Sequence, residues 1–182
     1  PGSVILRTPV FELIQYRPAT PAVRQVPLLI VPPVINKFYV MDLAPSRSMV
    51  EYLVGQGLQV FMISWRNPDA RFAKWDLDTY GQAILDAMDA AARIAGSEQT
   101  ALAGACSGGI IAAMVAAHLA HTGQQDRIAA LTLLVMVLDQ ARAGLGGAVI
   151  DERTARLAAA ASAARGYLDG RSLAEVFAWL RP

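Results

Sequence analysis

Residues 100–111, Thr-Ala-Leu-Ala-Gly-Ala-Cys-Ser-Gly-Gly-Ile-Ile, join a short apolar run to a helix-forming run through a turn of small residues centred on cysteine. A strand that reverses into a helix within one residue holds the junction residue in strained backbone, and only very small neighbours two positions to either side escape a clash. Gly104 and Gly108 occupy those positions around Cys106. The pattern reads as a nucleophile elbow with sulfur in place of the usual serine oxygen. It also sets Cys106 at a helix N-terminus, where unpaired N–H groups and the helix dipole favour a thiolate and, later, an oxyanion. A lone cysteine in apolar surroundings is commonly core filler. Here the strand before it, the small flanking residues and the helix after it supply the context a nucleophile needs.

The rest of the chain supports a sheet around this turn. Strand formers at 10–16 stop before Arg17-Pro18, and 27–31 is a continuous apolar run closed by Pro32-Pro33, as expected of a strand buried on both faces. The loop at 34–39 then lies at the carboxyl end of that strand, where open α/β sheets build their sites, and its N–H groups are candidates for half of an oxyanion hole. Ser48-Met49-Val50-Glu51 is a capping box for a helix that Gly55 and Gly57 end. A strand at 58–64 follows, then a helix capped by Asp78 and running to about Ala95, the strand at 100–105, a helix from the elbow to before Gly123, and a buried strand at 128–138. Strands alternating with helices predict an α/β fold: a parallel sheet with helices on both faces and right-handed crossovers.

Beyond Asp139 the texture changes. Gly144 to Gly147 reads as loop, 151–165 as an Ala-rich helix, and Ser172-Leu173-Ala174-Glu175 as a second capping box opening a helix to Leu180. This divides the chain into a core at 1–143, which carries the elbow, and a second region at 144–182.

Composition removes several function classes. A formal net charge of +1 without a basic run gives nucleic acid no footprint, and a single cysteine excludes an internal disulfide framework and fits a reducing compartment. The window 101–120 has no formal charge, yet it holds Ser107, His118 and three glycines, so no transmembrane segment is expected, and the opening residues give no reason to expect a signal peptide. No metal-site spacing is visible, and neither a P-loop nor a Gly-x-Gly-x-x-Gly follows a strand.

A cysteine nucleophile usually works with a histidine base steered by an acid. His118 and His121 lie twelve and fifteen positions after Cys106 on the helix it opens, roughly 18 and 22 Å along the axis. Neither serves as its base within one protomer, and both suit a helix C-terminus. Asp139, at the end of the strand expected at 128–138, occupies a place where an acid could sit, although the acid normally follows a later strand.

Five blocks in order, Pro32-Pro33-Val34-Ile35-Asn36-Lys37-Phe38-Tyr39, Asp42-Leu43, Ser64-Trp65-Arg66-Asn67-Pro68, Gly104-Ala105-Cys106-Ser107-Gly108-Gly109 and Phe177-Ala178-Trp179-Leu180-Arg181-Pro182, resemble successive blocks of the polyhydroxyalkanoate synthases. The Ala-Cys-Ser form of the elbow resembles the medium-chain-length, class II enzymes. The resemblance implies an α/β-hydrolase core that polymerises (R)-3-hydroxyacyl-CoA with release of CoA, at the surface of cytoplasmic polyester granules, usually as a homodimer and with no cofactor beyond the CoA of the substrate. It implies that Cys106 attacks the thioester and holds the acyl chain, while the N–H of Ser107 and one from Val34 or Ile35 hold the oxyanion. The family's aspartate and histidine fall beyond residue 182, and 144–182 corresponds to the start of its cap region. The expectation is therefore the N-terminal part of a catalytic domain, its sheet truncated before the last strands. Such a piece is expected to be inactive by itself and to oligomerise or aggregate through an unpaired edge. Two other readings remain open: a cysteine-dependent thioesterase or ester hydrolase on the same scaffold, and a non-catalytic partner of granules or of a complete synthase.

Overall fold

Continuous apolar runs at the centre of the chain and alternating ones at its start become one six-stranded sheet in the computed structural model, which describes residues 2–139, 152–168 and 170. The elements in order are β1 (Gly2–Arg7), β2 (Phe11–Tyr16), β3 (Leu28–Val31), β4 (Asp42–Ala44), β5 (Arg47–Ser48), α1 (Met49–Gly55), β6 (Val60–Trp65), α2 (Leu77–Ala95), β7 (Thr100–Ala105), α3 (Cys106–His121), β8 (Ile128–Leu134) and α4 (Glu152–Arg165). The sheet order is β1-β2-β6-β3-β7-β8, and β4 pairs with β5 in a separate hairpin. The loop expected at 144–147, the helix expected from Ser172, the block at 177–182 and the boundary between 143 and 144 lie outside the described residues.

Side chains alternate across the central strands. Leu29 and Val31 of β3 and Phe61, Ile63 and Trp65 of β6 point to one face, where α2 brings Ile84, Ala87, Met88 and Ala91 and α3 brings Ile111, Val115 and Leu119. Ile30, Val60, Met62 and Ala103 point to the other, under Val50 and Val54 of α1. Helices thus cover both faces, as the continuous apolar strands predicted.

The sheet differs from the expected parallel one at its start. β3, β6, β7 and β8 run parallel, but β1 and β2 are antiparallel to their neighbours. The sequence reading had no strand at 2–7. A turn organised by Thr8, whose Oγ1 accepts the N–H groups of Val10 and Phe11 at 3.1 and 3.0 Å, folds that segment back on β2.

Other boundaries move for local reasons. The cap of α1 is Ser48, whose Oγ accepts the Glu51 N–H at 2.9 Å, while the Glu51 carboxylate reaches past the cap to the N–H of Ser46 at 2.6 Å. Asp78 lies in the first turn of α2, after the start at Leu77, rather than capping it. The last strand stops at Leu134, paired with Ala105 at the end of β7, and Val135 turns into left-handed backbone at φ 45°. Asp139 is therefore five residues past the strand, not at its end. β8 is also largely exposed rather than buried, because it lies at the edge of the sheet order and pairs only with β7 among the described residues.

Residues 2–66 and 77–136 form one compact unit, and 67–76 with 137–139, 152–168 and 170 form a second. In the second unit the Asp69 carboxylate caps a short helix at Ala70–Phe72 and binds the Arg71 guanidinium at 2.7 Å, and Phe72 stacks on Trp75. α4 is an Ala-rich helix with no buried residue among those described.

Candidate functional site

Three strand ends define the site. In-register pairing of Val31 with Gly104 sets the loop that leaves β3 beside the turn that leaves β7, and β6 flanks β3 on its other side. This is the carboxyl edge of the parallel strands, where the fold leaves room for chemistry.

Cys106 is the first residue of α3 and has φ 48°. It is one of three non-glycine residues in left-handed backbone among those described, so the strain expected of an elbow is present at the residue expected to carry it. The turn tolerates it because the flanking glycines let two backbones close together. A Cβ on Gly104 would lie 2.6 Å from Gly109 Cα, and one on Gly108 would lie 2.3 Å from the Pro32 carbonyl oxygen. Gly109 is confined as well: a Cβ there would lie 2.8 Å from Met136 Sδ and 2.9 Å from the Gly104 oxygen. Its signal was the paired Gly108-Gly109 so soon after Gly104.

The Cys106 side chain is partly exposed, as a nucleophile must be. Ala105, the residue before α3, supplies no side-chain cap and the first turn holds no acidic residue, an arrangement that suits an anion at the helix N-terminus.

Three hydrogen bonds hold the loop after β3, one of them to the elbow. The buried Trp65 indole N–H donates to the Pro32 carbonyl at 2.9 Å, and the Asn36 N–H donates to the Pro33 carbonyl at 3.3 Å. The Val34 N–H donates to Ser107 Oγ at 3.1 Å, across 73 residues of chain. Cys106, Ser107 and Val34 are thus brought together as the sequence reading expected. Ile35 follows on the same loop, and its N–H has no hydrogen-bond partner among the described residues. Neither the Trp65 indole nor the Ser107 hydroxyl was foreseen, since each acts on a segment remote in sequence.

Trp65 is itself held by ring edges: Phe11 lies 6.3 Å away and Tyr80 5.4 Å away, both T-shaped. Burial raises the Tyr80 phenol above its ordinary range. Farther from the elbow, burial and then the Asp42 carboxylate raise the Tyr16 phenol, and Asp42 also accepts the Ser48 hydroxyl at 2.6 Å.

His118 and His121 are in the last turn of α3, at the end opposite Cys106. Among the described residues no group of three or more His, Cys, Asp or Glu is placed to hold a metal ion, and no helix is long and apolar enough to cross a membrane. The uncharged window 101–120 is split between β7 and α3 at the elbow.

Residues 1–53 match the family described as Poly-beta-hydroxybutyrate polymerase (PhaC) N-terminus. Poly(3-hydroxyalkanoate) polymerase 2 of Ectopseudomonas oleovorans is 44% identical over 181 residues, covering 100% of this chain and 32% of that protein. Poly(3-hydroxyalkanoate) polymerase 1 of the same organism is 45% identical over 181 residues, with the same two coverages. The chain therefore spans about a third of the length of these curated relatives. Among solved structures, a candidate lipase from Sulfolobus solfataricus superposes with a TM-score of 0.51 at 17% identity, over 75% of this chain and 49% of its own. That likeness and the strand order place the fold among the α/β-hydrolases.

Proposed function

We infer the activity from the premise that this chain belongs to the poly(3-hydroxyalkanoate) polymerase family, two curated members of which it matches over its whole length while spanning about a third of theirs. The proposed role is the nucleophile-bearing part of an acyltransferase that joins (R)-3-hydroxyacyl units from CoA thioesters into polyester. The observation that carries this reading is Cys106 itself: a thiol at φ 48°, opening a helix and enclosed by glycines that admit no Cβ.

Cys106 Sγ attacks the thioester carbonyl carbon, the bond from that carbon to the CoA sulfur breaks, and the thiol proton of Cys106 ends on the departing CoA. The carbonyl oxygen becomes an oxyanion between the two steps, held by the Ser107 N–H and by a loop N–H from Val34 or Ile35. In the second half, the 3-hydroxyl oxygen of another unit attacks the acyl-cysteine, an ester forms, and the hydroxyl proton returns to the Cys106 sulfur. His118 and His121 take no part, because α3 separates them from the thiol by most of its length. Medium-length acyl chains, a homodimer and a cytoplasmic granule surface complete the proposal. Similarity to the two Ectopseudomonas oleovorans polymerases supports the polymerase reading.

The test is made in a bacterium deleted for its own polymerase. The protein bearing this sequence is expected to restore polyester, and Cys106→Ala to abolish it. Free 3-hydroxy acid without polymer would overturn the polymerase reading in favour of hydrolysis.

A further inference from the structure

Each of the two oxyanion-hole segments has its own fixed point except at one place. The elbow is fixed by glycine contacts between β7, α3 and the backbone of Val31 and Pro32. The start of the β3 loop is fixed by the Trp65 indole on the Pro32 carbonyl. Beyond Pro32 the loop turns through Pro33 to Asn36, and a short turn of this kind leaves its central amides free to rotate unless something holds them. The group that does so is the Ser107 hydroxyl, which accepts the Val34 N–H at 3.1 Å.

We propose that Ser107 is a positioning residue for the acyl-transfer site: its hydroxyl holds Val34 and thereby orients the next amide, that of Ile35, as the loop donor to the oxyanion. This rests on the acyltransferase reading for its chemistry, but the hydrogen bond stands without it. One residue then serves twice. The Ser107 backbone N–H faces the reacting carbonyl from the elbow side, and its side chain sets the loop on the far side. An amide already bonded to Oγ is a poor donor to a second acceptor, whereas the Ile35 N–H has no described partner. Since an oxyanion hole works by having its donors in place before charge develops, holding the loop contributes to the rate rather than to substrate affinity.

The experiment uses the full-length protein that bears this sequence and compares wild type, Ser107→Ala and Ser107→Thr in three measurements: amide hydrogen exchange at Val34, acylation of Cys106 by 3-hydroxydecanoyl-CoA, and alkylation of Cys106 by iodoacetamide. Alkylation displaces iodide at a saturated carbon and makes no oxyanion. Ser107→Ala is expected to exchange the Val34 amide about 3- to 10-fold faster. Acylation should slow about 10- to 100-fold at saturating substrate with KM little changed, while alkylation stays within about 2-fold. Ser107→Thr, which keeps the hydroxyl, should restore both exchange protection and acylation. Unchanged Val34 exchange in Ser107→Ala would overturn the proposal, as would acylation and alkylation falling together, which would locate the defect at the thiol. If wild type is alkylated but never acylated, the acyltransferase reading fails and so does the oxyanion role assigned to Ser107; the exchange result then separately decides whether the hydroxyl holds the loop.

Discussion

Gly108→Ala is expected to destabilise the folded chain by about 3 kcal/mol or more and to abolish acylation at Cys106. The added Cβ would lie 2.3 Å from the Pro32 oxygen and 2.6 Å from the Val31 oxygen. Both are backbone atoms at the end of a central strand, so no side chain can rotate away, and relief requires α3 to move off β3. That movement also separates Ser107 from Val34 and dismantles the site. Gly55→Ala is the control: nothing lies within 4 Å of its added Cβ, and as the last residue of α1 it should gain a few tenths to about 1 kcal/mol. Urea midpoints of the two variants should therefore shift in opposite directions. Equal, small shifts would mean that the approach of α3 to β3 is looser than described.

Trp65→Ala is expected to cost about 3–5 kcal/mol, as large-to-small changes at buried aromatic positions do. It removes a ring only 8% exposed, the edge contacts to Phe11 and Tyr80, and the donor to the Pro32 carbonyl. Trp65→Phe separates these losses. Much of the ring contact survives, but the buried carbonyl at the root of the β3 loop loses its partner, at about 1–3 kcal/mol. Acylation in Trp65→Phe should fall by more than its stability loss explains, because the loop it anchors carries Val34 and Ile35. Denaturation midpoints and acylation rates on the same preparations check this, and a variant that lost stability but acylated at the wild-type rate would detach Trp65 from the site.

How far the sequence could be read depends on the range of each interaction. The elbow was legible because its cause is local: glycines two residues either side of Cys106 have little other reason to be there, and the structure places Cys106 at φ 48°. The central strands were legible because their residues point into core on both faces and leave uninterrupted apolar runs. β1 was missed because its residues are mostly exposed and its partner is chosen by the turn at Thr8. β8 was read as buried from the same kind of apolar run that marks β3 and β6, but apolarity does not report a strand's place in the sheet order. The β4–β5 hairpin is too short for periodicity, and its turn uses Ser46 at φ 60° rather than a glycine. Around the candidate site, the elbow at Cys106 followed from the motif and the loop at 34–39 from the strand end. The Ser107 hydroxyl and the Trp65 indole did not, because each bonds a carbonyl or amide that only the register of β3 with its neighbours brings near.

The central claim is that Cys106 is a nucleophile that takes an acyl group from a CoA thioester. Intact mass of the full-length protein that bears this sequence after incubation with 3-hydroxydecanoyl-CoA, with free CoA followed in parallel, tests it most directly. Acyl adducts that depend on Cys106 are expected on that protein, with one CoA released for each unit taken up. Cys106→Ala should give neither. Absence of an adduct on that full-length protein while iodoacetamide readily alkylates its thiol, or an adduct that persists in Cys106→Ala, would contradict the nucleophile assignment.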